Sequence, residues 1–89
     1  MKPTVSIVIP VRDEEQNIRR VMKETIRVAK SVCSRFEILV NDDASVDRSP
    51  EILASLQKKY RTIRVFHQKK SIGIAGGLEF LYKIGRAHV

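Results

Sequence analysis

Residues able to do chemistry gather in three short stretches of this 89-residue chain. The adjacent acids Asp42 and Asp43 follow the apolar run Phe36 to Val40 and sit in the polar cluster Asn41-Asp42-Asp43-Ala44-Ser45. Two carboxylates side by side at a strand end repel each other unless hydrogen-bond donors or a ligand satisfy them. Such an acid could accept the imide N–H of a base or a ribose hydroxyl, or hold a metal; equally, the pair could form a solvated turn with one carboxylate capping the next helix. The second stretch, Pro10-Val11-Arg12-Asp13-Glu14-Glu15, leads from another apolar run into a helix start. Helix N-termini favour anions, but Glu14 and Glu15 would repel a phosphate there. The turn therefore suits a base or ribose, or else its glutamates only complement the helix dipole. In the third stretch, Gly73, Gly76 and Gly77 have the spacing of neither the dinucleotide fingerprint nor the nucleotide triphosphatase loop, so close helix–sheet packing is the better account of them.

Other reactive residues are isolated. Cys33 is the single cysteine, which excludes an internal disulfide, and no Cys/His cluster has zinc-site spacing. By helical spacing Cys33 reads as a small buried hydrophobe. His67 has no carboxylate or thiol nearby in sequence to make it a general base. The formal net charge of +7 favours anionic partners such as nucleotides, nucleic acid or an acidic membrane face. Basic residues are not interleaved with aromatics and no glycine-arginine repeat occurs, so nucleic acid is not expected. Arg19, Lys23, Arg27 and Lys30 form a basic stripe that reads as a solvated helix face, with membrane-surface contact the competing reading.

The elements that must position these residues follow from periodicity. Thr4 to Val11 is β-branched on both faces and too short for a helix, which predicts a central parallel strand. Asp13 and Gln16 have capping-box spacing and Ile18, Val21, Met22, Ile26, Ala29 and Val32 recur helically, predicting about five turns from Asp13. Phe36 to Val40 predicts a second strand that gives way to a loop at Asn41. Ser49, Pro50 and Glu51 read as N-cap, first-turn proline and dipole-complementing acid of a second helix. Thr62 to Phe66 predicts a third strand, and Ser71 to Gly77 a glycine-rich lead into a third helix at Leu78 to Tyr82. The order βαβαβα implies an α/β fold, an open parallel sheet with right-handed crossovers. Ligands in such sheets bind outside the carboxyl ends of the strands, where residues 10–15, 41–45 and 67–73 all fall.

The longest apolar run, Val5 to Val11, is far short of the ~20 residues that span a bilayer, and Met1-Lys2-Pro3-Thr4 does not open a signal peptide. A reducing, cytoplasmic setting is expected, with a place at the cytoplasmic face of a membrane also open. The last six residues, Ile84-Gly85-Arg86-Ala87-His88-Val89, match the translation of a sequencing adapter, ATC GGA AGA GCA CAC GTC. Residues 1–83 are therefore expected to be the native domain and residues 84–89 a non-native tail.

Taken together, VSIVIPVRDEE and DDASVDRS resemble the opening of family 2 glycosyltransferases, whose first strand and turn read V-S-I-V-I-P-x-Y-N-E-E and whose second strand ends in D-D-x-S-x-D-x-T. Ser71-Ile72-Gly73 is similar to the family's N-x-G. The resemblance implies a Rossmann-like nucleotide-diphosphosugar transferase domain, here incomplete. It assigns Pro10, Val11, Arg12 and Glu14 to the first nucleotide-binding turn and Asp43, with Asp42, to uracil or ribose. Arg12 stands where the family has Tyr and Asp13 where it has Asn, which weakens base stacking at that point, although a guanidinium can stack on a base or meet a phosphate. The resemblance further implies inverting transfer from a UDP- or GDP-sugar to a lipid, such as a polyprenyl phosphate, or to a glycan. A divalent metal, Mg or Mn, would assist, its ligands and the catalytic base lying outside this sequence, so the chain alone is expected to be inactive. The alternative is a non-catalytic nucleotide-binding α/β module.

Overall fold

A computed structural model describes residues 4–86. The elements alternate as read: β1 (Thr4–Val11), α1 (Ile18–Val32), β2 (Arg35–Asp43), α2 (Ser49–Lys59), β3 (Ile63–Gln68) and α3 (Gly73–Arg86). All strand pairs are parallel and the sheet order is β1-β2-β3. Residues 87–89 of the expected non-native tail lie outside the described residues. Ile84 to Arg86 continue α3, and Gly85 approaches Leu39 and Ser6 closely enough for an added Cβ to make ordinary contact, 3.6 and 3.7 Å.

The central strand is β2, which pairs on both sides, while β1 pairs with β2 alone among the described residues. On one face of the sheet Ile38 and Val40 pack with Val11, Met22, Leu53 and Ile63 into the main core. On the other, α3 covers Leu39 and Asn41, and Phe80 meets Phe66 edge-to-face with centroids 5.5 Å apart. Gly77 lets α3 come this close: a Cβ there would stand 2.9 Å from the Asn41 amide nitrogen. The close-packing reading of the glycines is thus correct for Gly77.

The structure departs from the sequence reading most at four places, each for a tertiary reason. The capping box at Asp13 does not form. Asp13 takes a left-handed φ of 49°, and its Oδ1 accepts hydrogen bonds from the N–H groups of Val46 and Asp47 instead. The helix therefore starts at Ile18 behind Asn17, runs 15 residues, and leaves Glu14 and Glu15 in the preceding turn rather than on its dipole. Second, β2 does not stop at Val40 but carries Asn41, Asp42 and Asp43, all buried, as strand residues. Third, Ser49 does not cap α2; its N–H donates to Asp47 Oδ1 and its hydroxyl reaches across to α1's leading turn. Fourth, the glycine-rich stretch is helical from Gly73, because Asp43 reaches over from β2 and accepts from the N–H groups of Ile72 and Gly73 at 2.7 and 3.2 Å.

Candidate functional site

The carboxyl ends of β1 and β2 and the start of α3 enclose an open cleft of about 350 Å³. Pro10, Val11, Arg12 and Glu14 form one wall, Asp43 the floor, and Gly73 and Ile74 the opposite wall. Of the residues assigned from sequence, Asp42 is the one the structure leaves outside this group. Because β2 continues through both acids, strand alternation sends their side chains to opposite faces: Asp43 toward α3 and the cleft, Asp42 toward the face shared by Val40 and Ile38.

Asp42 instead meets His67, its register partner on β3, with Oδ2 and Nδ1 3.0 Å apart. The Asp42 side chain is buried and that of His67 about half exposed. Sequence gave His67 no acidic neighbour because the contact spans two strands. Asp42 Oδ1 and Asn41 Nδ2 are buried without a hydrogen-bond partner, while Asn41 Oδ1 accepts from Gln68 Nε2 at 2.8 Å.

The cleft wall at residues 10–14 is held by the loop that follows β2. Three consecutive backbone N–H groups are each taken by a side chain of the segment ASVDRS: Asp13 by Ser45 Oγ at 2.9 Å, Glu14 by Ser49 Oγ at 2.9 Å, and Glu15 by Asp47 Oδ2 at 3.1 Å. Asp13 returns the contact through Val46 and Asp47. The spacing S-x-D-x-S thus serves as a clamp between the two loops, a role its polar pattern hinted at but could not assign. Burial would raise the Asp47 carboxyl, but the hydrogen bonds from Ser49 and from Glu15 N–H outweigh it and leave it below the ordinary range.

Asp43 is bound as tightly from the third loop. Its Oδ2 accepts from Ser71 Oγ at 2.5 Å and from Gly73 N–H, and its Oδ1 from Ile72 N–H. The Ser71 hydroxyl and the Ile72 N–H hold the Asp43 carboxyl below its ordinary 3.8, against the opposing effect of burial, with Gly73 and the Arg12 charge adding to them. Ser71 Oγ also accepts from Arg12 at 3.1 Å, so an arginine, a serine and an aspartate link the cleft's two walls across its floor. A carboxylate offers about four lone-pair positions; three are filled, and one on Oδ1 is open.

Among the described residues no group of three or more His, Cys, Asp or Glu is placed to hold a metal ion. Nor is any described helix long and apolar enough to cross a membrane.

The sequence profile of "Glycosyl transferase family 2" matches residues 6–85, nearly the whole described chain and all three sides of the cleft. The chain belongs to glycosyl transferase family 2. The resemblance carried by VSIVIPVRDEE and DDASVDRS is confirmed by that match, and the parallel βαβαβα sheet agrees with a partial domain of this family. Over 84 residues, 92% of the chain, it is 30% identical to a protein named glycosyltransferase AglD from Haloferax volcanii, covering 14% of that protein. It is 45% identical over 49 residues, 55% of the chain, to an undecaprenyl-phosphate 4-deoxy-4-formamido-L-arabinose transferase of Edwardsiella ictaluri, covering 15% of it. A beta-monoglucosyldiacylglycerol synthase of a Nostoc species is 32% identical over 81 residues, 84% of the chain and 15% of the relative. The chain thus spans well under a fifth of the length of these relatives.

Proposed function

We propose that this chain is the sugar-donor-binding part of an inverting glycosyltransferase, its cleft taking the nucleoside end of a UDP- or GDP-linked sugar. The observation that carries the reading is the convergence of Pro10 and Val11 at the end of β1, Arg12 and Glu14 in the turn after it, and Asp43 at the end of β2 on one cleft at the carboxyl ends of the strands. Open α/β sheets bind ligands at that edge. Asp43 then accepts one N–H or hydroxyl of the nucleoside through the free position on Oδ1, and its low proton affinity keeps it an acceptor at neutral pH. The apolar faces of Pro10, Val11 and Ile74 exclude water from the flat face of a base. Asp42 lies behind the floor and contacts His67 rather than the ligand. Sugar transfer itself, by one displacement at the anomeric carbon, requires a base to deprotonate the acceptor, and no described residue is given that role. Relatives named for transfer involving undecaprenyl phosphate or for synthesis of a glycolipid favour a lipid acceptor over a glycan, reached at the cytoplasmic face of a membrane. The native domain is taken as residues 1–83, with 84–89 a foreign tail.

The test is calorimetric titration of the chain with UDP and with GDP, wild type against Asp43→Ala, with circular dichroism confirming that the variant stays folded. One of the two nucleotides should bind, and the variant should bind it about tenfold or more weaker, the loss expected for a hydrogen bond to a charged group. Equal affinity in a folded Asp43→Ala would remove this residue from the site.

A further inference from the structure

We propose that Arg12 reads the phosphate end of the nucleotide and so fixes which way the ligand lies in the cleft. The inference rests on the nucleotide-binding reading above and goes beyond it by assigning the anion contact to one side chain. Backbone N–H groups at turns and helix starts are the usual anion receptors of an α/β fold, and here two such sets flank the cleft. Five of their donors are already engaged. The N–H groups of Asp13, Glu14 and Glu15 donate to Ser45, Ser49 and Asp47, and those of Ile72 and Gly73 donate to Asp43. A phosphate could recruit them only by displacing the contacts that hold the loops.

Asp43 on the floor and Glu14 on one wall both repel anions. Among the lining residues Arg12 is the cation. Of the five N–H donors of a guanidinium, one is engaged, from NH1 to Ser71 Oγ at 3.1 Å. That bond anchors the group at the far side of the cleft beside Asp43, with the rest of the fork free for the paired oxygens of a phosphate, a geometry lysine cannot match. Lys69 and Lys70, both exposed, stand in the same loop as Ser71 and add positive potential at that side. The cleft therefore offers the Asp43 carboxylate to N–H and O–H groups and, beside it, the Arg12 guanidinium to an anion. A nucleoside diphosphate carries both kinds of group.

The experiment compares Arg12→Gln and Arg12→Lys with the wild type by amide-shift titration at fixed low salt, using UDP against uridine and GDP against guanosine. In the series that the wild type binds, Arg12→Gln should weaken the diphosphate roughly tenfold or more and leave the nucleoside within about twofold; Arg12→Lys should recover only part of the loss. The unchanged nucleoside affinity also certifies that the variant's cleft is intact. An equal loss for nucleoside and diphosphate would place the guanidinium on the base and overturn the assignment, as would an unchanged diphosphate affinity. A wild-type chain that binds neither diphosphate would overturn the nucleotide reading itself, a different result from either of these.

Discussion

Replacing Ser49 with alanine removes one oxygen and isolates the clamp that shapes the cleft wall. Ser49 is fully buried, and its hydroxyl is the acceptor for the Glu14 N–H at 2.9 Å. The N–H of Ser49 keeps its bond to Asp47 Oδ1 in the variant, so the start of α2 is not the element being tested. Losing a hydrogen bond of this kind costs about 0.5–1.5 kcal/mol, and leaving the Glu14 N–H without a partner in a partly buried turn raises the cost toward 1–3 kcal/mol. We take about 1.5 kcal/mol as the expected loss. A chain of this length has a total stability on the order of 5–10 kcal/mol, and in a domain this small such a loss lowers Tm by roughly 6–12 °C. The assay is urea unfolding followed by circular dichroism, with Ser31→Ala as the comparator. Ser31 also makes one hydroxyl bond, to Val28 O at 2.7 Å, but on an exposed helix face, where substitutions stay within about 0.5 kcal/mol. Amide exchange should accelerate at Glu14 specifically. If Ser49→Ala costs no more than Ser31→Ala, or Glu14 exchange is unchanged, the clamp does not hold the wall and its motif needs another explanation.

Two further outcomes follow from the geometry. Asp43 titrates below its ordinary 3.8 in the folded chain, so its contribution is fully present above the unfolded value and is lost as pH falls through the lower folded one; acid titration of Ile72 and Gly73 amide exchange should show protection failing below about pH 4, and Asp43→Asn should flatten that dependence. The β1 edge, with Val5 and Val8 exposed and a largely apolar groove of about 360 Å³ beside α1, should drive self-association at micromolar concentration. The positive charge opposes this at low salt and screening above ~0.1 M promotes it, so sedimentation should show mass rising with salt; a monomer throughout, with residues 7–9 strongly protected, would refute it.

The element order was legible in the sequence because strand and helix periods differ sharply between TVSIVIPV and the Ile18-Met22-Ile26-Ala29 stripe. What escaped were the places where a polar side chain serves a distant loop. Asp13 and Ser49 look like helix caps in one dimension, yet both spend their side-chain oxygens on the neighbouring loop. Asn41 to Asp43 look like a loop because they are polar, yet they complete a buried strand whose cross-strand partners His67 and Gln68, with Ser71 beyond them, satisfy part of that polarity. That misreading also paired Asp42 with Asp43, which strand alternation separates. The grouping of Pro10, Val11, Arg12, Glu14 and Asp43 could be made from sequence: topology puts residues 10–15 and 41–45 at the strands' carboxyl ends, and the family resemblance singles out these five within them. The Arg12–Ser71–Asp43 link could not, since it depends on how far α3's leading loop folds back over the sheet.

The measurement that bears most directly on the central claim is an amide-shift map of the isotope-labelled chain titrated with UDP, and in parallel with GDP, at low salt. Saturable shifts are expected for one of the two, centred on Val11, Arg12, Glu14, Asp43, Gly73 and Ile74, with the groove along Thr25, Val28 and Val32 unaffected. Shifts centred on that groove, or no saturable shift with either nucleotide in a folded chain, would contradict it.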